Sequence, residues 1–493
     1  MFNPEKQFAH TQSEYMSTAV LPNAVKYSQL QPRATSGRGQ MRRYQSSNGQ
    51  VFNPLTNNII RIDVTGDKYS FLDGQHGFLE ITMQTTAATA ISCQLDSGLW
   101  AIVQSLRIES NTGVEIERIN NYNLLHTKLF QYQTPSSHLP ISNATSGTVS
   151  GMAVKSGALG IVTVHGENYL PTQNLGGAAS VGAAGSALFL AAGDAVTLTM
   201  PLISGFLSNN GGKYIPIGSS SGFTIEITLE TANTALMQIF GGVLANAYTV
   251  TNCTYNVPIV YITGQEFQSN WVQLLNATGG VAWAGQTWSS HVNAYTGTGA
   301  ADQIVIPINE RCRSLNSIIT IFRTTANTVL ATGASLSNSQ IGNAGAAMSY
   351  QYRIAEQLFP PTLVQFNPTA QSAIPTNAAS LYLYAGQNVS QAYCEVLKAL
   401  GMLHNKNDGN LVTIGQYASV EAQQGLGMFG VDVEAYLADS GVSESGIDTA
   451  STAAQSSFEA NVTFAAAANR IDTFCMKTAI YHLSSDGTFS VSQ

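Results

Sequence analysis

The sequence predicts an all-β chain of two antiparallel sandwiches with short helices and long loops, and three observations carry that reading. Apolar and polar residues alternate with period two, or run as β-branched stretches, through most of the chain from residue 58. Helical patterning is confined to two short stretches, so no series of strand–helix alternations argues for a parallel sheet. Strand patterns also recur in both halves. AIVQSLRIES around Ser105-Leu106 is echoed by ERCRSLNSIITIF around Ser314-Leu315, and FTIEITLE (223–230) by FEANVTFA (458–465).

In chain order, strands are expected at 59–66, 78–84, 101–110, 114–119, 223–230, 303–308, 317–324, 380–386 and 458–465. Each is rich in Ile, Val, Phe, Tyr or Thr and bounded by Gly, Asn, Asp or Ser clusters. Helices are expected at 231–243 (TANTALMQIFGGV) and 391–403 (QAYCEVLKALGML), each ending near Gly. Long strandless insertions fill 134–185, 325–350 and 403–456. With about 100–200 residues per domain, two large all-β domains fit the 493 residues. The expected division is a basic flexible N-terminal arm at 1–57, a first sandwich at 58–245, a linker at 246–257, and a second sandwich with its tail at 258–493. The linker lies in LANAYTVTNCTYNVP, which follows a helical pattern and contains a proline.

Only 10% of residues are charged, against about 25% in an ordinary soluble protein. Hydrophobic residues make up 44% and mean hydropathy is +0.04. That excludes a long coiled coil and disorder over most of the chain. So little charge leaves a bare surface poorly solvated, so much of it is expected to be covered by partners or by copies of the chain. No apolar leader opens the sequence and no run of about 18 apolar residues occurs, so synthesis and folding in a cytosol are expected. Five cysteines, at 93, 253, 312, 394 and 475, are odd in number and far apart. They read as isolated core residues, not as a disulfide framework or zinc site.

The charge is polarised. Residues 1–57 hold six Lys/Arg and two acids, a balance of +4, and the rest holds 15 basic and 27 acidic residues, a balance of −12. Arg33, Arg38, Arg42 and Arg43 have few acids near them in sequence and are the candidate contacts for an anionic surface or a neighbouring subunit. A solvated tail with no partner explains the same composition.

No catalytic constellation assembles. GLGMFG (425–430) matches GxGxxG but follows the polar segment SVEAQQ, so it reads as a flexible glycine turn. No GxxxxGK[ST], no GxSxG and no closely spaced His pair occurs. Glu115/Glu117 and Asp432/Glu434 are spaced for one strand face, where a solvated side explains them. Trp271, Trp283 and Trp288 are close in sequence; with Trp100 they fill an inter-sheet core or build a sugar platform equally well. No cofactor, no metal site and no enzymatic activity are expected.

The order of segments resembles the double jelly-roll major capsid proteins, above all those of polinton-like viruses and virophages. The stretches that carry it are YSFLDGQHGFLEITM (69–83), LWAIVQSLRIESNTGVEIERINNYNLL (99–125) and MPLISGFLSNNGGKYIPIGSSSGFTIEITLETA (200–232). In the second half TWSSHV (287–292), IPINERCRSLNSIITIFR (306–323), YQYRIAEQLFPPTLV (350–364) and SGIDTASTAAQSSFEANVTF (445–464) follow in the same order. The segments are scattered over about 430 residues, and each is loose by itself. The resemblance implies two eight-stranded jelly rolls side by side. It implies homotrimers of pseudo-hexagonal outline that tile an icosahedral virion shell around a genome, with minor capsid or penton proteins as further partners. It also implies that the N-terminal arm lies at the inner face, against nucleic acid or an internal membrane. A carbohydrate-binding or fibre-type sandwich is the other reading of the same composition.

Overall fold

A computed structural model describes residues 37–85, 93–95, 97–135, 138–147, 153–156, 160–163, 195–238, 248–324, 339–342, 347–368, 389–403, 412, 417–418, 426–434, 446–450 and 455–493. The chain divides at Gly37, and Arg38–Gln493 forms one unit. Its first half supplies β1 (Gly37–Gln45), β2 (Ile59–Val64), β3 (Ser70–Leu72), β4 (Phe78–Thr85), β5 (Cys93–Leu95), β6 (Val103–Ser110) and β7 (Glu115–Asn120). There follow β8 (Ala153–Ser156), β9 (Gly160–Thr163), β10 (Ala195–Pro201), β11 (Phe223–Leu229), β12 (Leu236–Gln238) and β13 (Tyr248–Ile262). One sheet has the order β1-β13-β4-β10, with β3 added on β13, and the other the order β2-β11-β6-β7; β5–β12 and β8–β9 are separate two-stranded pairs.

The second half supplies β14 (Gly280–Thr296), β15 (Ala301–Ile308), β16 (Leu315–Thr324), β17 (Met348–Ile354), β18 (Gln357–Phe366), β19 (Phe429–Asp432), β20 (Ser456–Thr463), β21 (Ala468–Ser484) and β22 (Phe489–Ser492). Its sheets are β14-β21-β16-β19, with β22 on β21, and β15-β20-β17-β18. Counting the eight principal strands of each half in chain order, both halves give the same arrangement: first, eighth, third and sixth in one sheet, second, seventh, fourth and fifth in the other. That is the double Greek-key wrap of a jelly roll, made twice.

The alternating sequence builds this directly. In β11, Phe223, Ile225, Ile227 and Leu229 are buried while Thr224, Glu226 and Thr228 face outward. Ile225 pairs with Ile62 on β2 and Ile108 on β6, and Ile227 with Ile60 and Leu106. Each such side chain contributes roughly 1.5–3 kcal/mol on burial. β16 is buried from Leu315 to Arg323, which is why its sequence runs nearly without alternation.

Four expectations change. Residues 37–57 are not a free arm: Gly37–Gln45 is the first strand of the first roll, with Tyr44 and Phe52 in the core. Its sequence GRGQMRRYQ hides this because an exposed edge strand buries little; only Tyr44 shows the inward face. The stretch taken as a linker is β13, the eighth strand of the first roll, paired antiparallel with β3 and β4. It was obscured by Thr254 and Asn256, polar residues that are nevertheless buried. Of the helix expected at 231–243, Ala232–Ala235 is helical among the described residues, and β12 follows it. The helix expected at 391–403 spans Ser390–Ala399. The helix Tyr122–Gln133 begins within 99–125, where the resemblance implies a turn into a short helix, and the helix Gln265–Thr278 was not anticipated. The two echoes differ in meaning: 223–230 and 458–465 lie on the seventh strand of each roll, whereas Ser105-Leu106 lies on a fourth strand and Leu315 on a third. The insertions are not strandless: β8 and β9 lie within 134–185 and β19 within 403–456. The stretch 380–386 and most of the three insertions lie outside the described residues.

Candidate functional site

Of the four arginines singled out in the sequence, Arg33 lies outside the described residues and the other three lie on β1. The Arg38 guanidinium sits 5.2 Å from the Tyr261 ring centre, and that of Arg42 lies 5.1 Å from the ring of Tyr44. Arg42 pairs with Asp67 at 3.4 Å, and Tyr261 Oη donates to the same carboxylate at 3.2 Å. Arg43 donates to Asn256 Oδ1 at 3.0 Å and to Glu80 at 3.2 Å. Tertiary contact supplies the acids that Arg42 and Arg43 lack in sequence, and gives Arg38 an aromatic ring. They clasp the edge strand to its own roll.

A second feature is the seam where the rolls meet. Gly205, after β10, and Gly285, on β14, face each other so closely that a Cβ on Gly205 would lie 2.7 Å from Gln286 O, and one on Gly285 2.1 Å from Gly205 O. Gln286 N donates to Asn209 O at 2.9 Å, and Asn209 Nδ2 to Gln286 Oε1 at 3.1 Å. Arg470 Nη2 reaches Asn121 Oδ1 at 2.8 Å, and Tyr132 Oη reaches Leu426 O at 2.9 Å. Phe206 of the first roll packs edge-on against Tyr481 and Phe489 of the second.

Glu117 sits in this seam, which corrects the reading of Glu115/Glu117 as a solvated pair. Glu115 is exposed and bonds Arg107 at 2.7 Å. The register shifts between Ile108 and Glu109, and both Ile116 and Glu117 are buried. Glu117 accepts from Ser204 Oγ, from Thr287 Oγ1 and from Gly205 N at 2.7 Å. Burial pushes its carboxyl up; these neutral donors offset that only in part.

Within the second roll, a different carboxylate forms a hub. Glu310 accepts from Lys477 Nζ at 3.0 Å and from Ser289 Oγ, and lies 3.0 Å from His291 Nε2. Burial would raise it, but the bond with His291 and the Lys477 charge overcome this and hold it down at about 2. His291, Glu310 and Cys475 bring ligand atoms within 4.8 Å of one another. The donor set does not suit a divalent cation: the Lys477 ammonium already neutralises the carboxylate, and burial pushes the Cys475 thiol up, away from the thiolate a metal takes. The hub is a buried hydrogen-bonded network.

The other sequence motifs resolve structurally. GLGMFG is not a free turn: Phe429–Asp432 is β19, and a Cβ on Gly430 would lie 2.9 Å from Val396 Cα of the helix Ser390–Ala399, so glycine there admits close helix–strand packing. Trp100, Trp283 and Trp288 are buried and Trp271 is half-buried, with Trp100 stacked 4.2 Å from the ring of His126. Cys253, Cys312 and Cys475 are buried as expected, but Cys394 is exposed. Among the described residues, no helix is long and apolar enough to cross a membrane.

No protein-family profile matches the sequence, and no curated protein does. Solved structures do match. The structure of the Sputnik virophage aligns with TM-score 0.56 at 11% identity, over 96% of this chain and 92% of that one. The PBCV-1 virus capsid aligns with TM-score 0.55 at 9% identity, over 95% and 99%. The Faustovirus major capsid protein aligns with TM-score 0.52 at 12% identity, over 95% and 93%. The fold is the double jelly roll. Each alignment spans both rolls and nearly the whole of both chains, so the double jelly roll here is a shared architecture and not one sandwich matched twice. At 9–12% identity, the likeness rests on strand order and not on side chains.

Proposed function

We propose that this chain is a major capsid protein, a structural protein of an icosahedral virion that assembles as homotrimers of pseudo-hexagonal outline. The observation that carries the reading is the two-fold repeated strand order, aligned end to end with capsid chains of three viruses. The low charge and apolar composition support it, because a permanent trimer interface buries upward of about 2,000 Å² of comparatively apolar surface. Two rolls per subunit give six per trimer, which is the geometry of a hexagonal tile. On this reading the chain has no catalytic role, resides in the virion, and meets minor capsid or penton proteins at lattice boundaries.

The clasp on β1 shifts the inner-face role from the arginine pair to residues 1–36, where Lys6, Lys26 and Arg33 stand. Of the two contacts open to that segment, an anionic lining inside the shell or a strap to the next subunit, the strap fits its sparse charge better. Light scattering coupled to size exclusion tests the assembly: the expected species is three times 52.3 kDa, and a stable monomer at micromolar concentration overturns it. Deleting residues 1–36 should leave that trimer intact and weaken shell formation seen by electron microscopy. Deleting 1–45 should also destabilise the first roll, because it removes an edge strand and Tyr44.

A further inference from the structure

Where the rolls meet lies a partly open pocket of about 540 Å³, within the range of roughly 300–1,000 Å³ typical of small-molecule sites. Its apolar wall is shared: Leu129 and Leu202 come from the first roll, Trp288 and Met476 from the second. Gln133, Ser208, Asn209 and Gln286 add uncharged polar groups, and the charged groups lie on one side. Asp432, the last residue of β19, and Glu434 line it together with Lys398. The helix Ser390–Ala399 ends there, with Leu400 and Gly401 in the wall, so the negative end of its dipole adds to the two carboxylates.

The charges around Asp432 can be counted. Glu434 and Glu395 oppose its ionisation and Lys398 favours it, while Lys398 itself lies 4.0 Å from Glu395. Glu434 is engaged by Asn316. Asp432 Oδ1 accepts from Glu434 N at 2.9 Å, and among the described residues its other oxygen accepts nothing. One carboxylate oxygen thus faces the pocket, where Lys398, drawn toward Glu395, is the lone cation against Asp432, Glu434 and Glu395.

We propose that this inter-roll cavity binds an organic ammonium ion with an apolar body, its charge on Asp432 and Glu434 and its hydrocarbon against Trp288, Leu202 and Met476. An anion is repelled by the same wall, and a neutral apolar molecule leaves the carboxylates unmet. Burial pushes the Asp432 carboxyl up to about 6, the acids beside it adding to the effect. The site is therefore charged and competent above that pH and loses affinity below it.

The test uses the full-length protein and three probes of matched length: hexylammonium, hexanol and hexanoate, followed by calorimetric titration and thermal melting at pH 7.5. Hexylammonium is expected to bind and to raise the melting temperature, with hexanol at least about tenfold weaker and hexanoate without effect. Asp432→Asn and Glu434→Gln should each weaken hexylammonium by about tenfold while leaving the unliganded melting temperature nearly unchanged. Should Asp432→Asn fail to fold, titrating wild type at pH 5 gives the same readout, a loss of affinity for hexylammonium but not hexanol. Equal binding of hexanol and hexylammonium, binding of hexanoate, unchanged affinity in Asp432→Asn, or no binding to folded wild type would each overturn the proposal.

Discussion

Glu117 and Glu310 are both buried carboxylates that bridge strands, and they are held in opposite ways. Glu117 lies between the rolls and accepts only from neutral groups: two hydroxyls and two backbone N–H groups. Glu310 lies inside the second roll and accepts from an ammonium, with a hydroxyl and an imidazole beside it. Burial disfavours the charge of both, Glu117 being the more deeply buried, yet one carboxyl is pushed up and the other is held down to about 2. The difference teaches which partner decides. Several neutral hydrogen bonds do not offset the loss of water around the Glu117 charge, whereas the bond with His291 together with the Lys477 charge at 3.0 Å does so for Glu310.

The largest break in this contrast is Lys477→Met. It leaves Glu310 buried without its cation, which costs about 3–5 kcal/mol. Urea unfolding at pH 7 should show this loss, and the double variant Glu310→Gln with Lys477→Met should recover most of it. If the double variant is as unstable as the single, packing and not charge explains the effect.

The pH dependence sharpens the same point. Glu310 has a folded pKa below its unfolded value, so its contribution is fully present above about pH 4.5 and is lost as pH falls toward 2. The shift corresponds to about 3 kcal/mol at most. Glu117 has the opposite sign: its raised pKa favours the protonated form, so its contribution is present at low pH and is lost as pH rises through the folded value. Stability measured against pH should therefore lose its acid slope in Glu310→Gln and keep it in Glu117→Gln. Identical profiles for the two variants would mean that neither carboxylate is linked to folding as described.

Glu117→Ala should cost about 2 kcal/mol, because Ser204, Thr287 and the Gly205 N–H lose a buried acceptor at the seam. Glu117→Gln should cost less at pH 7, since the amide oxygen still accepts. The measurement is again denaturant unfolding, with the two-state assumption checked by two probes because the rolls could part separately.

How much of this was legible in the sequence depends on what a residue faces. β4 and β11 alternate against one core and one solvated face, so the period-two pattern located them to within a residue or two. β1 escaped because eight of its nine residues are not buried, and β13 because Thr254 and Asn256 are inward polar residues. The carboxylate pairs were visible as spacing, but their surroundings were not. Glu117 looked solvated because alternation assumes that the outer face of a sheet meets water, and here it meets the other roll. The cavity brings Leu129, Trp288 and Asp432 together from segments more than 140 residues apart. Nothing local in the chain announces such a meeting. Strand order, by contrast, survives at 9–12% identity in the matched capsid chains because it needs only alternation and turns.

The smallest expected effect comes from a third carboxylate that separates distance from burial. Glu80 meets Arg43 at 3.2 Å, nearly the separation of Glu310 and Lys477 at 3.0 Å. The chemistry is the same, a carboxylate and a cation. The surroundings differ: the side chains of Arg43 and Glu80 are 57% and 21% exposed, against 10% and 6% for Lys477 and Glu310. Water already solvates Glu80 when its partner leaves, and salt screens the pair while it stands. Arg43→Ala should therefore cost less than about 1 kcal/mol, several times less than Lys477→Met, and its effect should vanish in high salt. Arg43 also donates to Asn256, so Glu80→Gln is the cleaner removal of the ion pair and should cost less still. If Glu80→Gln instead matched Lys477→Met, the β1 clasp would be energetically a core element. The distinction drawn between paired charges in water and paired charges in the fold would then fail at its simplest test.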